Sequence, residues 1–134
     1  MDHIKDLKIV ITAGASGIGS EVAIALSKAG ARVMVCDVNK NTLKSFSNNN
    51  PEIYAYHADV SNESDVRCFF KDIKSKFNSI DVLINNAGIS GPSGKLEDID
   101  FDKWEETLNV NLNGLFLVTT VSYTHLTLPT KRIV

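Results

Sequence analysis

Residues 12–19 read T-A-G-A-S-G-I-G and lie between an apolar run, Ile9-Val10-Ile11, and a helical pattern from Val22 to Ala29. A strand that ends in a glycine-rich turn and passes straight into a helix constrains the fold of this chain more than any other feature. The first N–H groups of a helix have no intrahelical partners, and its N-terminus carries partial positive charge, so such a turn forms a cradle for phosphate. At the start of a chain it is where a doubly wound α/β domain places its dinucleotide loop.

Strand and helix patterns alternate through the rest of the sequence. Residues 8–12 read as a first strand, 17–29 as a helix that Gly30 stops, and 31–36 as a second strand ending at Asp37. A short helix is expected over 41–46, an asparagine-rich turn over 47–51, and a third strand over 52–57. Ser61 caps a helix whose apolar residues Val66, Phe69, Phe70, Ile73 and Phe77 fall on one face. Residues 80–84 make a fourth strand apolar enough to be buried on both sides. A loop over 86–100 leads to a helix from 102 to about 120, with Trp104, Leu108, Leu112, Leu115 and Phe116 as its apolar stripe. This order implies a parallel sheet with right-handed crossovers.

A chain of 134 residues suffices for one domain with a core, and 43% hydrophobic with 22% charged residues is ordinary for a soluble globular protein. A net charge of −2 advertises no basic face for nucleic acid or anionic lipid. No run approaches the ~20 apolar residues of a membrane helix, and the N-terminus has no signal-peptide pattern. The expected compartment is therefore the cytoplasm. Cys36 and Cys68 read as inert core thiols. His3, His57 and His125 are scattered without metal-ligand spacing, so no metal site is expected.

Asp37 stands 18 residues beyond Gly19, at the tip of the second strand. A carboxylate there accepts hydrogen bonds from both hydroxyls of an adenosine ribose and repels a 2′-phosphate. Two unit charges ~4 Å apart at an effective dielectric near 20 interact by about 4 kcal/mol, enough to favour NAD over NADP. The alternative reading of Asp37 is a solvated turn residue.

Four segments together resemble the amino-terminal half of the short-chain dehydrogenase/reductase family. T-A-G-A-S-G-I-G resembles that family's T-G-x-x-x-G-x-G turn, and Asp59-Val60 its acidic pair beside the adenine. N-N-A-G at 85–88 resembles its sheet-end motif, and N-V-N-L-N-G at 109–114 the helix segment carrying the active-site asparagine. The resemblance covers residue 7 to about 120 and implies a Rossmann-like, doubly wound parallel sheet with strand order 3-2-1-4, broken off midway. It implies that Ser16, Gly17, Ile18 and Gly19 line the pyrophosphate of NAD, with Gly14 a further cofactor-binding residue, Asp37 on the ribose and Asp59 and Val60 at the adenine. Asn86, Ala87 and Gly88 would lie against the cofactor, and Asn111 would be the catalytic asparagine, its main-chain carbonyl holding a water in a proton relay. From the residues alone, Asn111 also reads as a buried helix residue that satisfies its own amide. The chain departs from the family at Ala13, which stands where the turn has its first glycine; alanine tolerates positive φ poorly, so the early turn is expected to differ slightly.

The implied activity is interconversion of a secondary alcohol with a ketone or 3-oxoacyl group, in a homo-oligomer, often a tetramer, with the helix near Trp104 and Phe116 at a subunit contact. Proton exchange in this family uses a tyrosine followed four residues later by lysine. Here Tyr123 is followed by Thr127, and Lys131 lies too far along. From Val121 the sequence V-S-Y-T-H-L-T-L-P-T resembles a translated sequencing-library adapter. Residues 1–120 are thus expected to be the native NAD-binding portion and 121–134 a non-native tail, leaving the fourth strand's edge open and the chain poorly soluble and without turnover. Two other readings are a non-catalytic NAD sensor of the same fold and a nucleotide-binding α/β protein such as a methyltransferase. The second has no use for N-N-A-G followed by an asparagine in the next helix.

Overall fold

The computed structural model describes residues 3–125 and 132–134. Strands β1 (Lys8–Thr12), β2 (Arg32–Asp37), β3 (Tyr54–His57) and β4 (Val82–Ile84) alternate with helices α1 (Gly17–Lys28), α2 (Lys40–Asn49) and α3 (Glu63–Phe77). Beyond β4 come a 3₁₀ turn (Leu96–Asp98), helix α4 (Phe101–Leu108), a π-helical segment (Asn109–Gly114), helix α5 (Leu115–Ser122) and a two-residue strand β5 (Arg132–Ile133). Among the described residues the strands form one sheet, in the order β3-β2-β1-β4-β5, with every neighbouring pair parallel. This is the doubly wound α/β architecture.

Parallel strands covered on both faces need apolar side chains at consecutive positions, and β1 and β2 have them. Ile9, Ile11, Val33 and Val35 point to one side, where they pack with Ala23 of α1 and with Leu43 and Phe46 of α2. Val10, Met34, Cys36 and Leu83 point to the other, where Val66, Phe69, Phe70, Ile73 and Phe77 of α3 meet them, together with Val118 of α5. All five residues foreseen as the buried face of α3 are buried.

Several expectations are corrected. Helix α2 continues through Ser47–Asn49, because Asn39 caps its start by accepting from the Thr42 amide and nothing breaks it before Asn50. The cap of α3 is Asn62 rather than Ser61; its side chain accepts from the Asp65 amide, while Ser61 is held by Asp59. Strand β4 begins at Val82, although Ile80 just before it is fully buried. The edge of β4 expected to be open is partly covered, since Val82 and Leu83 pair with Arg132 and Ile133 of β5. The long last helix is divided by the π segment, and its stripe residues Trp104, Leu108, Leu112, Leu115 and Phe116 are exposed rather than packed. Cys68 is exposed; only Cys36 is a core thiol. Of the segment expected to be non-native, residues 126–131, with Thr127 and Lys131, lie outside the described residues.

Candidate functional site

The sheet order places the carboxyl ends of β3, β2, β1 and β4 side by side. The glycine turn, Asp37, Asp59-Val60 and N-N-A-G follow those ends and converge for that reason, while Asn111 is brought in by the helical segment beyond α4. They are tied together by hydrogen bonds as well as by proximity.

The glycine turn is braced from both flanks. Gly14 is buried and its N–H donates to Cys36 O at 3.0 Å. Ala15 N–H donates to Asp37 Oδ2 at 3.3 Å, and Asn39 N–H to Asp37 Oδ1 at 3.1 Å. Asp37 is 8% exposed, so it is a buried acceptor closing the end of β2 and not a solvated turn residue. On the other flank, Asn86 Nδ2 donates to Thr12 O at 3.1 Å and to Ala13 O at 3.0 Å. Thr12, 1% exposed, accepts at Oγ1 from both Asn86 N–H and Ala87 N–H, each at 3.0 Å. The Cys36 thiol beneath the turn has its pKa pushed up to about 12, chiefly by burial; a backbone hydrogen bond at Ala13 works against this and the Asp37 charge adds to it.

Between these braces the start of α1 is open. Ser16 is the N-cap residue, exposed, with no side-chain capping bond, and the first turn carries no acidic residue to offset the helix dipole. Gly17 has φ +54°, and a side chain there would enter space with nothing within 4 Å. Gly19 is buried; a Cβ on it would stand 2.4 Å from Ala13 O and 2.5 Å from Asn86 Nδ2, so only glycine lets the helix approach the turn. Ile18 is exposed beside it. Uncapped amides and a nearby buried carboxylate suit the pyrophosphate and ribose of a dinucleotide.

Asp59 and Val60 follow β3. Asp59 Oδ1 accepts from Ser61 N–H at 2.9 Å and Ser61 Oγ at 2.7 Å, which fixes the turn into α3, while Val60 is buried. Ala58 N–H donates to Asp37 O at 3.1 Å, holding this turn beside β2. Gly88, four residues beyond the end of β4, is exposed. Asn111 is exposed and its amide is fully used: Oδ1 accepts from Ile89 N–H and Nδ2 donates to Ile89 O, both at 2.8 Å. The reading of Asn111 as a buried residue is thereby corrected; it staples the π segment to the loop after β4.

The family model for short chain dehydrogenases matches residues 7–132. The chain belongs to the short-chain dehydrogenase family. It is 35% identical over 121 residues to an uncharacterized oxidoreductase of Bacillus subtilis (strain 168), covering 87% of this chain and 44% of that protein. It is 41% identical over 113 residues to momilactone A synthase of Oryza sativa subsp. japonica, covering 82% of this chain and 41% of that protein. Its fold matches that of a 3-ketoacyl-(acyl-carrier-protein) reductase from Brucella melitensis complexed with NADH. The TM-score is 0.86 at 29% identity, over 91% of this chain and 51% of that one. The chain spans about half the length of the relatives it matches.

One feature of this family member was not assigned from sequence, and the change of the early turn expected at Ala13 is corrected. Thr12 is the buried hub between β1 and the β4 loop; a threonine closing an apolar strand was the available signal. Ala13 has φ +50°, so the turn keeps the conformation that a glycine would adopt without strain, and the alanine takes the cost. Among the described residues no group of three or more His, Cys, Asp or Glu is arranged to hold a metal, and no helix is long and apolar enough to cross a membrane.

Proposed function

We propose that this chain is the adenosine-holding part of an NAD(H)-dependent oxidoreductase that interconverts a secondary alcohol with a ketone or a 3-oxoacyl group. One observation carries the reading: the uncapped start of α1 and the buried Asp37 carboxylate share a rim, joined by the Ala15–Asp37 hydrogen bond. Ser16, Gly17, Ile18 and Gly19 hold the pyrophosphate, and Gly14, its N–H used by Cys36 O, lets the turn pack against β2 beneath the cofactor. Asp37 accepts from the ribose hydroxyls and repels a 2′-phosphate, which favours NAD over NADP. Asp59 and Val60 face the adenine, and Asn86, Ala87 and Gly88 lie along the cofactor, Asn86 chiefly by holding the turn. When bound, the nicotinamide ring supplies hydride chemistry. Asn111 holds a water at its main-chain carbonyl for proton exchange, and its side chain keeps that carbonyl in place through Ile89. NADH bound to a related reductase of the same fold supports the choice of cofactor. The exposed apolar residues of α4 and α5 support assembly into a homo-oligomer, a tetramer, and the composition supports the cytoplasm as its compartment.

No tyrosine of this sequence is followed four residues later by lysine. The chain as it stands, its native portion taken as residues 1–120, therefore binds nucleotide without turning over. Titration with NADH, followed by the anisotropy of its fluorescence, tests the reading. Saturable binding that ADP-ribose displaces and that Gly17→Ala weakens at least about tenfold is expected, because the added methyl enters the cradle at a positive φ. Failure to bind, or binding indifferent to that substitution, contradicts it. NADH formation from NAD and a secondary alcohol by this chain contradicts the absence of turnover.

A further inference from the structure

Asn111 and Gly114 stand three residues apart in the π segment, and each meets a different loop. Asn111 is paired with Ile89 after β4, while Gly114 is buried against Val60 after β3. In an α-helix, residues three apart lie nearly on one face; the wider i→i+5 turn of a π segment swings them apart. One segment thus reaches both loops at once.

Gly114 has no room for a side chain. A Cβ on it would stand 2.8 Å from Val60 Cγ2 and 3.3 Å from both Val60 Cβ and Val60 O. Valine is stiff about χ1, and rotating it relieves only the first of these contacts. The seam here, bounded also by Thr12 and Ala87, has no space for a water molecule that the methyl could displace. An alanine at this position must therefore push the π segment away from β3. On the other side Asn111 has little slack: both its bonds to Ile89 are 2.8 Å, and its Oδ1 lies 3.4 Å from where a Cβ on Gly88 would be.

We propose that Gly114 is a positioning residue: by seating the π segment against Val60 it fixes Asn111 on Ile89, so the adenine-side loop and the loop after β4 are held in register through one glycine. The functional meaning rests on the role proposed for Asn111, but the contact is tested without cofactor, so its failure is distinguishable from a failure to bind NADH.

The test is amide hydrogen exchange by NMR on the full chain, comparing Gly114→Ala with the double variant Gly114→Ala/Val60→Ala. Exchange at Ile89, whose N–H is held by Asn111, is expected to accelerate at least about tenfold in the single variant, while Val10 and Val35 in the sheet keep their protection. The double variant, with the Val60 methyls removed, is expected to restore Ile89 protection and the Asn111 side-chain amide resonances. Unchanged exchange at Ile89, a loss spread evenly over the sheet, or no recovery in the double variant overturns the proposal. If the single variant does not fold, the double variant decides: folded with Ile89 protected supports the proposal, and unfolded or unprotected overturns it.

Discussion

Thr12, closing β1, is 1% exposed and accepts two backbone hydrogen bonds from the loop after β4, whereas Phe116, in α5, is 66% exposed on an apolar surface. The two residues represent two regions built on opposite terms. At the carboxyl edge of β1 and β2, polar groups are buried and nearly every one has a partner within the chain. Along α4, the π segment and α5, one stripe of apolar groups is laid out with helical regularity and left exposed, while Val118 on the other side packs into the core. An open groove of about 770 Å³ runs there between Leu112, Leu115, Phe116 and Tyr123, and none of its lining residues belongs to the glycine turn. Under the proposed function, the contrast teaches that volume and apolarity alone point away from the nucleotide site. The braced polar rim, with its one open helix end, is where a charged ligand has matched partners.

If the rim is held by its buried bonds, Thr12→Val is the most damaging conservative change. It keeps the shape but leaves the Asn86 and Ala87 amides without an acceptor, and urea unfolding is expected to show a loss of about 3 kcal/mol. A loss under about 1 kcal/mol would mean that the hub is not a hub. A gain is expected one residue on. Ala13→Gly removes the left-handed strain at φ +50° and should stabilise by about 0.5–1 kcal/mol after allowing for the freer unfolded chain. A destabilised variant would show that the methyl contributes more packing than it costs in strain.

The apolar limb should respond differently. Leu112→Ser and Phe116→Ser are each expected to change stability by no more than about 0.5 kcal/mol. Together they should reduce self-association in sedimentation velocity, since the stripe is then no longer continuous. A large loss of monomer stability would show that the stripe packs within the chain. The smallest contrast is chemical: at pH 8 iodoacetamide should modify exposed Cys68 and spare Cys36, whose thiol is held up to about 12 by burial. A thiol raised in this way keeps its proton in the folded chain after the unfolded one has lost it. Its contribution to stability is therefore full below the ordinary thiol range and falls as pH rises through that range toward 12.

The difference between the regions also explains what could be read in advance. In β1–α1–β2 the local signals agree: alternate residues of apolar strands fill both cores, and the glycines mark a turn that only they fit. The face of α3 was legible because its partner, the sheet, is in the same chain. The period of the last helix was equally legible, but periodicity says which residues share a face and not what covers it. The π segment was hidden because an extra residue in a helical turn has no local signature; tertiary contacts at Asn111 and Gly114 decide it. Strand β5 was hidden because two residues pairing with an open edge are selected by backbone bonds and not by side-chain pattern.

Calorimetric titration of this chain with NAD⁺ and with NADP⁺ tests the central claim most directly, namely that the buried carboxylate at the end of β2 and the open turn at the end of β1 grip one nucleotide. The expected result is one NAD⁺ per chain, with NADP⁺ at least about tenfold weaker and that gap closing in Asp37→Ala. Equal or tighter binding of NADP⁺ by the unsubstituted chain, or a gap unchanged by the substitution, would contradict it.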